Sequence, residues 1–181
     1  IASALDRSDV VILSGGLGPT EDDLTKEVCA EVMGLPLSED PHSRKRIERY
    51  MKEYKKNHPD RRVTSNNYKQ AQVPEGAIVL DNHNGTAPGL ILEKNGKTAI
   101  LLPGPPNELI PMFEESVFSY LRKKQPEIIY SQMVKICSIG ESQVAEEIED
   151  LIESQTNPTI APYAKTGEVH PVSYTHLRAH E

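Results

Sequence analysis

The residues whose types and spacing best suit chemistry lie in one short stretch, residues 14–25, which has the sequence SGGLGPTEDDLT. Its three glycines, Gly15, Gly16 and Gly18, let the backbone turn sharply and approach a ligand closely. Thr20 is predicted to cap a helix, and the start of a helix presents unpaired N–H groups at the positive end of the helix dipole. A loop of this kind is suited to binding a phosphate group.

Acidic residues in the same stretch complicate a phosphate site. Glu21, Asp22 and Asp23 fall in the predicted first helical turn, where a carboxylate is favoured but a second anion is repelled. One interpretation is that they only compensate the dipole, with Thr20 and Asp23 as a capping pair. The other is a divalent cation, since one Mg²⁺ can bridge carboxylates and phosphate oxygens. Capping leaves the glycines unexplained, so we favour a metal-assisted phosphate site.

This stretch needs a strand before it and a helix after it, and the apolar residues predict both. Residues 10–13 form a short, β-branched run bounded by turn residues, which is typical of a strand buried on both faces. Leu24, Val28 and Val32 recur every fourth residue and predict the apolar face of the helix. Strand, glycine loop and helix together predict an α/β fold.

The same arrangement occurs a second time further along the chain. Asn95-Gly96 predicts a tight hairpin that leads into a strand over residues 98–102. This strand is followed by a loop that contains Pro103 and Gly104, and then by a helix. Ligands of open α/β sheets bind beyond the carboxyl ends of the strands. The two loops are therefore predicted to enclose one phosphate-bearing ligand.

Two further groups of residues are candidate walls of that site. Asn107 is predicted to cap the second helix and Glu108 to lie beside the ligand, the alternative being that Glu108 only compensates the helix dipole. A third wall is predicted in the loop before the hairpin, where small residues permit close approach; the alternative is a plain connecting turn. The residues of this third wall are Gly85, Thr86, Ala87 and Gly89.

Charge and size limit the classes of function. At 181 residues and 37% hydrophobic, the chain can bury a core of ordinary domain size. A formal net charge of −7 makes general affinity for nucleic acid unexpected. Nine of the twenty lysines and arginines nevertheless fall within residues 44–62. We interpret this stretch as a helix with a solvated basic face; the alternative is a basic arm over an anionic ligand or partner.

The cysteines and the ends of the chain bear on location and on domain organisation. Cys29 and Cys137 form no ligand cluster, and no apolar run is long enough to span a membrane, so we expect a reducing, cytoplasmic setting. We predict a ligand-binding domain over residues 1–130 that lacks its first strand, and the start of a small α/β domain over residues 131–170. Residues 171–181 carry no core periodicity and are interpreted as a foreign tail.

Several segments, in the expected order from about Ser8 to Val169, resemble one known family. They are similar to the molybdenum-cofactor biosynthesis (MoaB/Mog-like) domain, and within it to the CinA, competence/damage-inducible, branch. A lone glycine loop would be weak evidence, whereas an ordered series of segments is strong. The segments are residues 15–25, 67–71, 84–89, 102–109, 140–142 and 157–165.

The resemblance implies a three-layer α/β sandwich around a mostly parallel sheet, with a small α/β extension. It also implies a nucleotide-processing enzyme, with hydrolysis of the pyrophosphate of ADP-ribose as the leading activity. Asp22 and Asp23 would hold Mg²⁺ or a similar divalent metal, and Asp23, which matches the aspartate of the family's Asp-x-Thr element, would be catalytic. The diphosphate and nucleotide would contact the first loop through Gly15, Gly16, Gly18, Pro19, Thr20 and Thr25.

Other functions remain open within the same family. One is adenylyl transfer to molybdopterin by the same loop. Another is a non-catalytic module that binds a nucleotide or pterin and is attached to a nicotinamide-mononucleotide deamidase domain absent from this chain. A small-molecule ligand and a homodimer are the expected partners.

Overall fold

The computed structural model describes residues 1–62, 64–125 and 128–177. The chain divides into two compact units, Ile1–Tyr120 and Leu121–Glu181. Among the described residues, no helix has both the length and the apolar character needed to cross a membrane.

The first unit is built on a four-stranded sheet in the order β1-β6-β5-β4. Strands β1 and β6 are parallel, with Ser14 opposite Leu102, whereas β6, β5 and β4 pair antiparallel. The α/β class is confirmed, and the described sheet is mixed, with one parallel and two antiparallel pairs. Its strands are β1 (Val10–Ser14), β4 (Ile78–Leu80), β5 (Gly89–Lys94) and β6 (Lys97–Leu102).

The predicted hairpin at Asn95-Gly96 is confirmed. Lys94 pairs with Lys97, and the two turn residues have positive φ angles of 52° and 76°. Both values belong to the left-handed region that a two-residue hairpin turn requires and that Asn and Gly tolerate best.

Helices and short segments surround this sheet in the first unit. The α-helices are α1 (Ala2–Arg7), α2 (Thr25–Met33), α3 (Pro41–Asn57), α4 (Pro106–Met112) and α5 (Phe118–Lys124, which continues into the second unit). A 3₁₀ segment covers Ser65–Ala71, a π-helical segment Phe113–Val117, and strands β2 (Leu37–Glu39) and β3 (Gln72–Pro74) pair with each other.

The core lies on both faces of β5 and β6. On one face, Leu90 and Leu101 belong to a buried cluster that includes Cys29 and Met33 of α2. Since successive side chains of a strand point to opposite faces, Ile100 belongs to the other face, and it is equally buried. Burial of both faces is the condition for layers of other elements on either side of a sheet.

Strand β1 and helix α2 differ from the sequence prediction in which side is buried. Ile12 is 47% exposed, so β1, which lies at the edge of the described sheet, is not buried on both faces. Leu24, Val28 and Val32 do share one face, but each is more than 40% exposed. The buried face of α2 instead contains Cys29, which belongs to the same buried cluster as Leu90 and Leu101 of the sheet.

The start of α2 was also predicted wrongly. The helix begins at Thr25 rather than just after Thr20, because residues 20–23 form a separate turn in which the N–H of Asp23 donates to the carbonyl of Thr20. By contrast, α3 begins as its sequence indicates. The Asp40 carboxylate accepts a hydrogen bond from the N–H of Ser43 at 2.7 Å, and proline follows the cap.

The second unit contains a sheet in which β10 is central. Strands β7 and β8 pair with β10 along one path, and β9 also pairs with it. Two short helices complete the unit, and Val144 of α6 is buried. The elements are β7 (Ile128–Met133), β8 (Ile136–Cys137), α6 (Glu141–Glu147), α7 (Glu149–Glu153), β9 (Thr159–Lys165) and β10 (Glu168–Leu177).

The segment interpreted as a foreign tail takes part in this sheet. Val172 pairs with Met133 of β7 and with Ala161 of β9, and it is 7% exposed. Residues 171–177 therefore belong to the second unit, and leaving them out of the fold was wrong. Their short strand pattern is completed by partners far away in the sequence, so periodicity within the tail gave no signal. Residues 178–181 lie outside the described residues, and a foreign origin stays a prediction.

Candidate functional site

The two glycine-containing loops lie side by side at the ends of neighbouring strands. The parallel pairing of β1 with β6 ends both strands at the same edge, and the N–H of Gly15 donates to the carbonyl of Leu102 at 2.9 Å. A Cβ atom added at Gly104 would lie 3.5 Å from the Cα of Gly15. Gly15 also has a φ of 85°. Glycine adopts this left-handed backbone angle without the strain that a side chain would bring.

These loops form much of the wall of a cavity of about 450 Å³. Ten of the residues predicted for the site line this cavity, and five others line it that were not predicted. The predicted ones are Gly15, Gly16, Gly18, Asp23, Gly85, Thr86, Ala87, Pro103, Gly104 and Glu108, and the others are Leu17, Tyr50, Gln70, Asn84 and Pro105. The predicted residues outside the lining are Pro19, Thr20, Asp22, Thr25, Gly89 and Asn107.

Asp23 is held on the cavity wall by Thr20. The backbone N–H and the hydroxyl of Thr20 donate to the same carboxylate oxygen of Asp23, at 3.0 and 2.5 Å. The hydroxyl contact is the main reason why the pKa of Asp23 is lowered from its usual value. A Cβ atom at Gly18 would collide with this carboxylate. The Thr20–Asp23 contact therefore fixes an ionised oxygen in the cavity, and Gly18 provides the space for it.

Thr25 supports the glycine loop from behind. Its N–H donates to the carbonyl of Gly16 at 3.2 Å, and a Cβ atom at Gly16 would collide with the Thr25 side chain. Gly16 also has a φ of 70°. Thr25 thus shapes the loop that faces the ligand site, although it does not line the cavity itself.

Two lysines that the sequence analysis missed hold the same loop in place. The ammonium group of Lys69 donates to the carbonyls of Thr20 and Asp23, at 2.7 and 2.6 Å. Lys26 in turn donates to the carbonyl of Lys69 at 2.8 Å. Lys26 is 3% exposed, and burial lowers its pKa against the opposing effect of Glu27. One carboxylate oxygen of Glu27 lies 3.7 Å from the Lys26 ammonium and 3.8 Å from the Lys69 ammonium.

The opposite wall is tied together by Asn82. Its amide nitrogen donates to the carbonyl of Ala87 at 2.8 Å and to a Glu108 carboxylate oxygen at 2.6 Å, and its amide oxygen accepts from the N–H of Asn84. A Cβ atom at Gly85 would collide with the Glu108 carboxylate. The Asn82 side chain thus fixes the half-buried Glu108 on the cavity wall. A glutamate that only compensated the helix dipole would not need this contact.

Asn107 and Gly89 have roles other than those predicted. Pro105 rather than Asn107 occupies the cap position of α4, because the helix begins one residue before Asn107. The Asn107 carbonyl accepts from the side chain of Asn84 at 2.7 Å, so Asn107 joins the two loops through its backbone. Gly89 belongs to β5, where a Cβ atom would collide with the sulfur of Met112, and its smallness serves packing.

Helix α3 brings part of the basic stretch to a second cavity of about 230 Å³. This cavity shares Tyr50, Gly85 and Thr86 with the first one. Its other lining residues are Arg46, Arg49, Glu53, Asn82 and His83. Arg46 and Arg49 therefore lie beside the site. This position is the one that a basic arm over an anionic ligand, the second interpretation of residues 44–62, would need.

Arg46 is fixed in that position by the loop that follows β4. Its guanidinium donates to the carbonyl of Asn82 at 2.5 Å and pairs with Asp81. Burial by itself would raise the pKa of Asp81, but hydrogen bonds from His42 and Arg46 outweigh it and lower that pKa. Asp81 is therefore a firm anionic partner for Arg46 at neutral pH.

The carboxylates suited to a divalent cation are Asp23 and Glu108, since both line the larger cavity. Asp22 is exposed and outside the lining, so the structure does not bring it to the cavity with Asp23. Within the described part of the chain, no group of three or more His, Cys, Asp or Glu side chains could hold an ion by itself. Mg²⁺ is commonly held by one or two carboxylates together with substrate phosphates and water, and the residues present fit that kind of site.

Comparison with known families agrees with this architecture. Residues 1–123 match the family described as "Probable molybdopterin binding domain", and residues 131–172 match the "Damage-inducible protein CinA KH domain". The chain belongs to the CinA branch of the molybdopterin-binding domain family. The two matches fall on the two parts of the chain that the sequence resemblance distinguished.

Proteins similar in sequence to this chain are named as CinA-like or competence-damage inducible proteins. A "Putative competence-damage inducible protein" of Clostridium beijerinckii is 56% identical over 162 residues, which are 90% of this chain and 38% of that protein. A "CinA-like protein" of Dictyoglomus turgidum is 53% identical over 165 residues, 91% of this chain and 39% of that protein. The chain thus spans well under half the length of these relatives.

A solved structure shows a similar fold. The crystal structure of CinA from Thermoplasma acidophilum, described as a protein with unknown function, superposes with a TM-score of 0.54 at 36% sequence identity. The match covers 65% of this chain and 66% of that one.

Proposed function

We propose that the first unit binds a nucleotide diphosphate in the larger cavity and that, with a divalent cation, it hydrolyses the pyrophosphate of ADP-ribose. The observation that carries this proposal is the position of Asp23 and Glu108, two carboxylates on the wall of a cavity that five glycines also line. An anionic ligand would be repelled by these carboxylates without a cation between them.

Each residue has a defined part in this reaction. Gly15, Gly16 and Gly18 let the diphosphate approach the backbone of the first loop. Because the pKa of Asp23 is lowered, its carboxylate stays ionised at neutral pH and can serve as an oxygen ligand. A bound Mg²⁺ would polarise the phosphoryl oxygens and lower the pKa of a coordinated water.

The chemical change is a simple hydrolysis. The water oxygen forms a bond to one phosphorus, and the bond from that phosphorus to the bridging oxygen breaks. The bridging oxygen stays on the leaving phosphate, the protons of the water pass to solvent, and the products are AMP and ribose 5-phosphate. Arginines beside a phosphoryl group offset the charge that develops on it, and Arg46 and Arg49 line the cavity that adjoins the site.

The test is phosphorus NMR of ADP-ribose incubated with the protein and Mg²⁺, with and without a chelator. The proposal expects the diphosphate signals to be replaced by two phosphomonoester signals, and the chelator to stop this change. ADP-ribose that stays intact under both conditions would contradict it.

A second candidate function is favoured by the family description, which names molybdopterin binding. The same loop would then transfer an adenylyl group to molybdopterin or hold a pterin without chemistry. Release of pyrophosphate from ATP in the presence of molybdopterin would support adenylyl transfer. Binding of a nucleotide or pterin without turnover would support a module that acts through another domain.

We further propose that the protein acts in the cytoplasm as a homodimer and does not bind nucleic acid. The exposed apolar face of α2, formed by Leu24, Val28 and Val32, would suit contact with a second copy.

RNA-binding KH domains clamp the RNA backbone with a GXXG loop. At the start of α6 this chain has Gly140 followed by Glu141, an anion that would repel phosphate. Light scattering of the protein in solution tests the dimer, and titration with labelled RNA tests the expected lack of binding.

A further inference from the structure

Gln70 is a buried polar residue on the cavity wall whose bonding the proposed function does not explain. It lies near the end of the 3₁₀ segment, is 3% exposed, and lines the larger cavity. Its amide oxygen has no hydrogen-bond partner among the described residues. Glu27 also carries an unpaired buried oxygen in the first unit, but its other oxygen lies between two lysines and the residue does not line the cavity.

A buried amide oxygen without a partner is unfavourable by about 1–3 kcal/mol, and about 90% or more of buried polar groups avoid this state. Asn82 is a buried side-chain amide of the same kind whose hydrogen bonds are made within the protein. It is also 3% exposed, yet its nitrogen donates two hydrogen bonds and its oxygen accepts one. The contrast leaves the Gln70 amide oxygen with an acceptor position that no described residue fills, in a residue that lines the cavity.

The surface next to Gln70 indicates which kind of ligand group could bind there. Tyr50 of α3 lines the same cavity and is 48% exposed. Its ring is stacked on Tyr54, with centroids 6.5 Å apart and planes at 13°, and Tyr54 is stacked on His58 at 4.5 Å. Tyr50 is thus one of three rings stacked in series. A half-exposed aromatic face suits a planar ring, whereas neither a tyrosine face nor a neutral amide selects a phosphate.

We propose that Gln70 and Tyr50 hold the planar heterocycle of the ligand, with the Gln70 amide oxygen accepting a hydrogen bond from a ring N–H or exocyclic amino group. The terminal amide torsion of glutamine has a broad energy minimum, so the amide can turn toward the cavity while the backbone stays in place. This inference rests on the proposed function only in that the glycine loop takes the phosphate groups of the same ligand. A nucleobase and a pterin both supply such a donor.

The test is the substitution Gln70→Leu, with stability and ligand affinity both measured. Loss of a merely structural residue would lower both, whereas loss of a ligand contact should lower affinity alone. Because the leucine removes an unpaired buried oxygen, the melting temperature of the ligand-free protein should stay unchanged or rise. Affinity for AMP should fall about tenfold, the loss expected for one hydrogen bond of about 1.4 kcal/mol. Affinity for inorganic pyrophosphate with Mg²⁺, which carries no heterocycle, should be unchanged. The matched variant Asn82→Leu removes paired contacts and should lower the melting temperature.

The outcomes separate this inference from the proposed hydrolysis. Binding of AMP that depends on Gln70, without any turnover of ADP-ribose, would support the heterocycle site and contradict the hydrolase. Measuring the affinities for AMP and neopterin in parallel shows whether the site takes a nucleobase or a pterin. Only the heterocycle that binds there should lose affinity in Gln70→Leu. A lower melting temperature of ligand-free Gln70→Leu, an equal loss of pyrophosphate affinity, or wild-type protein that binds neither heterocycle would overturn the inference.

Discussion

Replacement of Lys69 by methionine should detach the acidic loop from the rest of the first unit. The substitution keeps an unbranched apolar side chain but removes the two hydrogen bonds from the ammonium group to the carbonyls of Thr20 and Asp23, at 2.7 and 2.6 Å. These bonds join segments 49 and 46 residues apart in the chain. Lys69→Met therefore tests whether the position of the loop depends on this distant residue.

The size of the effect follows from the two contacts. A hydrogen bond that involves a charged group contributes about 1.5–3 kcal/mol. The Lys69 side chain is 26% exposed, so water replaces part of what is lost, and we expect the free energy of unfolding to fall by about 2–3 kcal/mol. A displacement of about 1 Å in a reacting group lowers activity on the order of 100-fold. Turnover of ADP-ribose should therefore fall far more than stability alone explains.

The assay compares Lys69→Met with Lys94→Met. Lys94 also donates from its ammonium to a backbone carbonyl, that of Gly34 at 2.7 Å, but it does not line the cavity. Lys94→Met should lower the melting temperature and leave turnover at the wild-type level. Amide hydrogen exchange of residues 15–25 should rise in Lys69→Met alone. If Lys69→Met loses stability but keeps full turnover and full protection of this loop, the reasoning is refuted.

Three further predictions concern single positions. Burial raises the pKa of the Cys29 thiol to about 11, so a thiol reagent at neutral pH should modify the exposed Cys137 in the folded protein and both cysteines only after unfolding; two reactive thiols in the folded state would contradict this. Gly85→Ala should displace the Glu108 carboxylate and weaken Mg²⁺-dependent ligand binding, measured by calorimetry; unchanged binding would show that Glu108 is not needed there. Asp40→Ala should lower the free energy of unfolding by about 1 kcal/mol through loss of the α3 cap, measured by urea denaturation, and an unchanged midpoint would count against the cap.

Much of the site could be predicted from the sequence because its signals are local. Glycines with positive φ, a strand before each loop and an Asn-Gly turn are each visible within a few residues. Such features depend on backbone conformation and on close neighbours in the chain, so short motifs report them well.

What could not be predicted depends on distant partners. Lys69 reaches the acidic loop, and Gln70 reaches the cavity, only because the 3₁₀ segment packs beside that loop. The polar sequence of this segment has no periodicity that would indicate either contact. Spacing identified the face of α2 that carries Val28, but spacing cannot tell which face turns toward the sheet. The exposure of Asp22 follows from the Thr20–Asp23 turn, which the prediction of a helix starting at Thr20 excluded.

The most direct test of the central claim is phosphorus NMR of ADP-ribose with Mg²⁺ and the variant Asp23→Asn. The matched control is Glu21→Gln, an exposed acidic residue of the same stretch that does not line the cavity. The account predicts that the wild-type protein and Glu21→Gln convert ADP-ribose to AMP and ribose 5-phosphate, while Asp23→Asn keeps its circular dichroism spectrum and leaves ADP-ribose intact. Hydrolysis by Asp23→Asn at the wild-type rate would contradict the account.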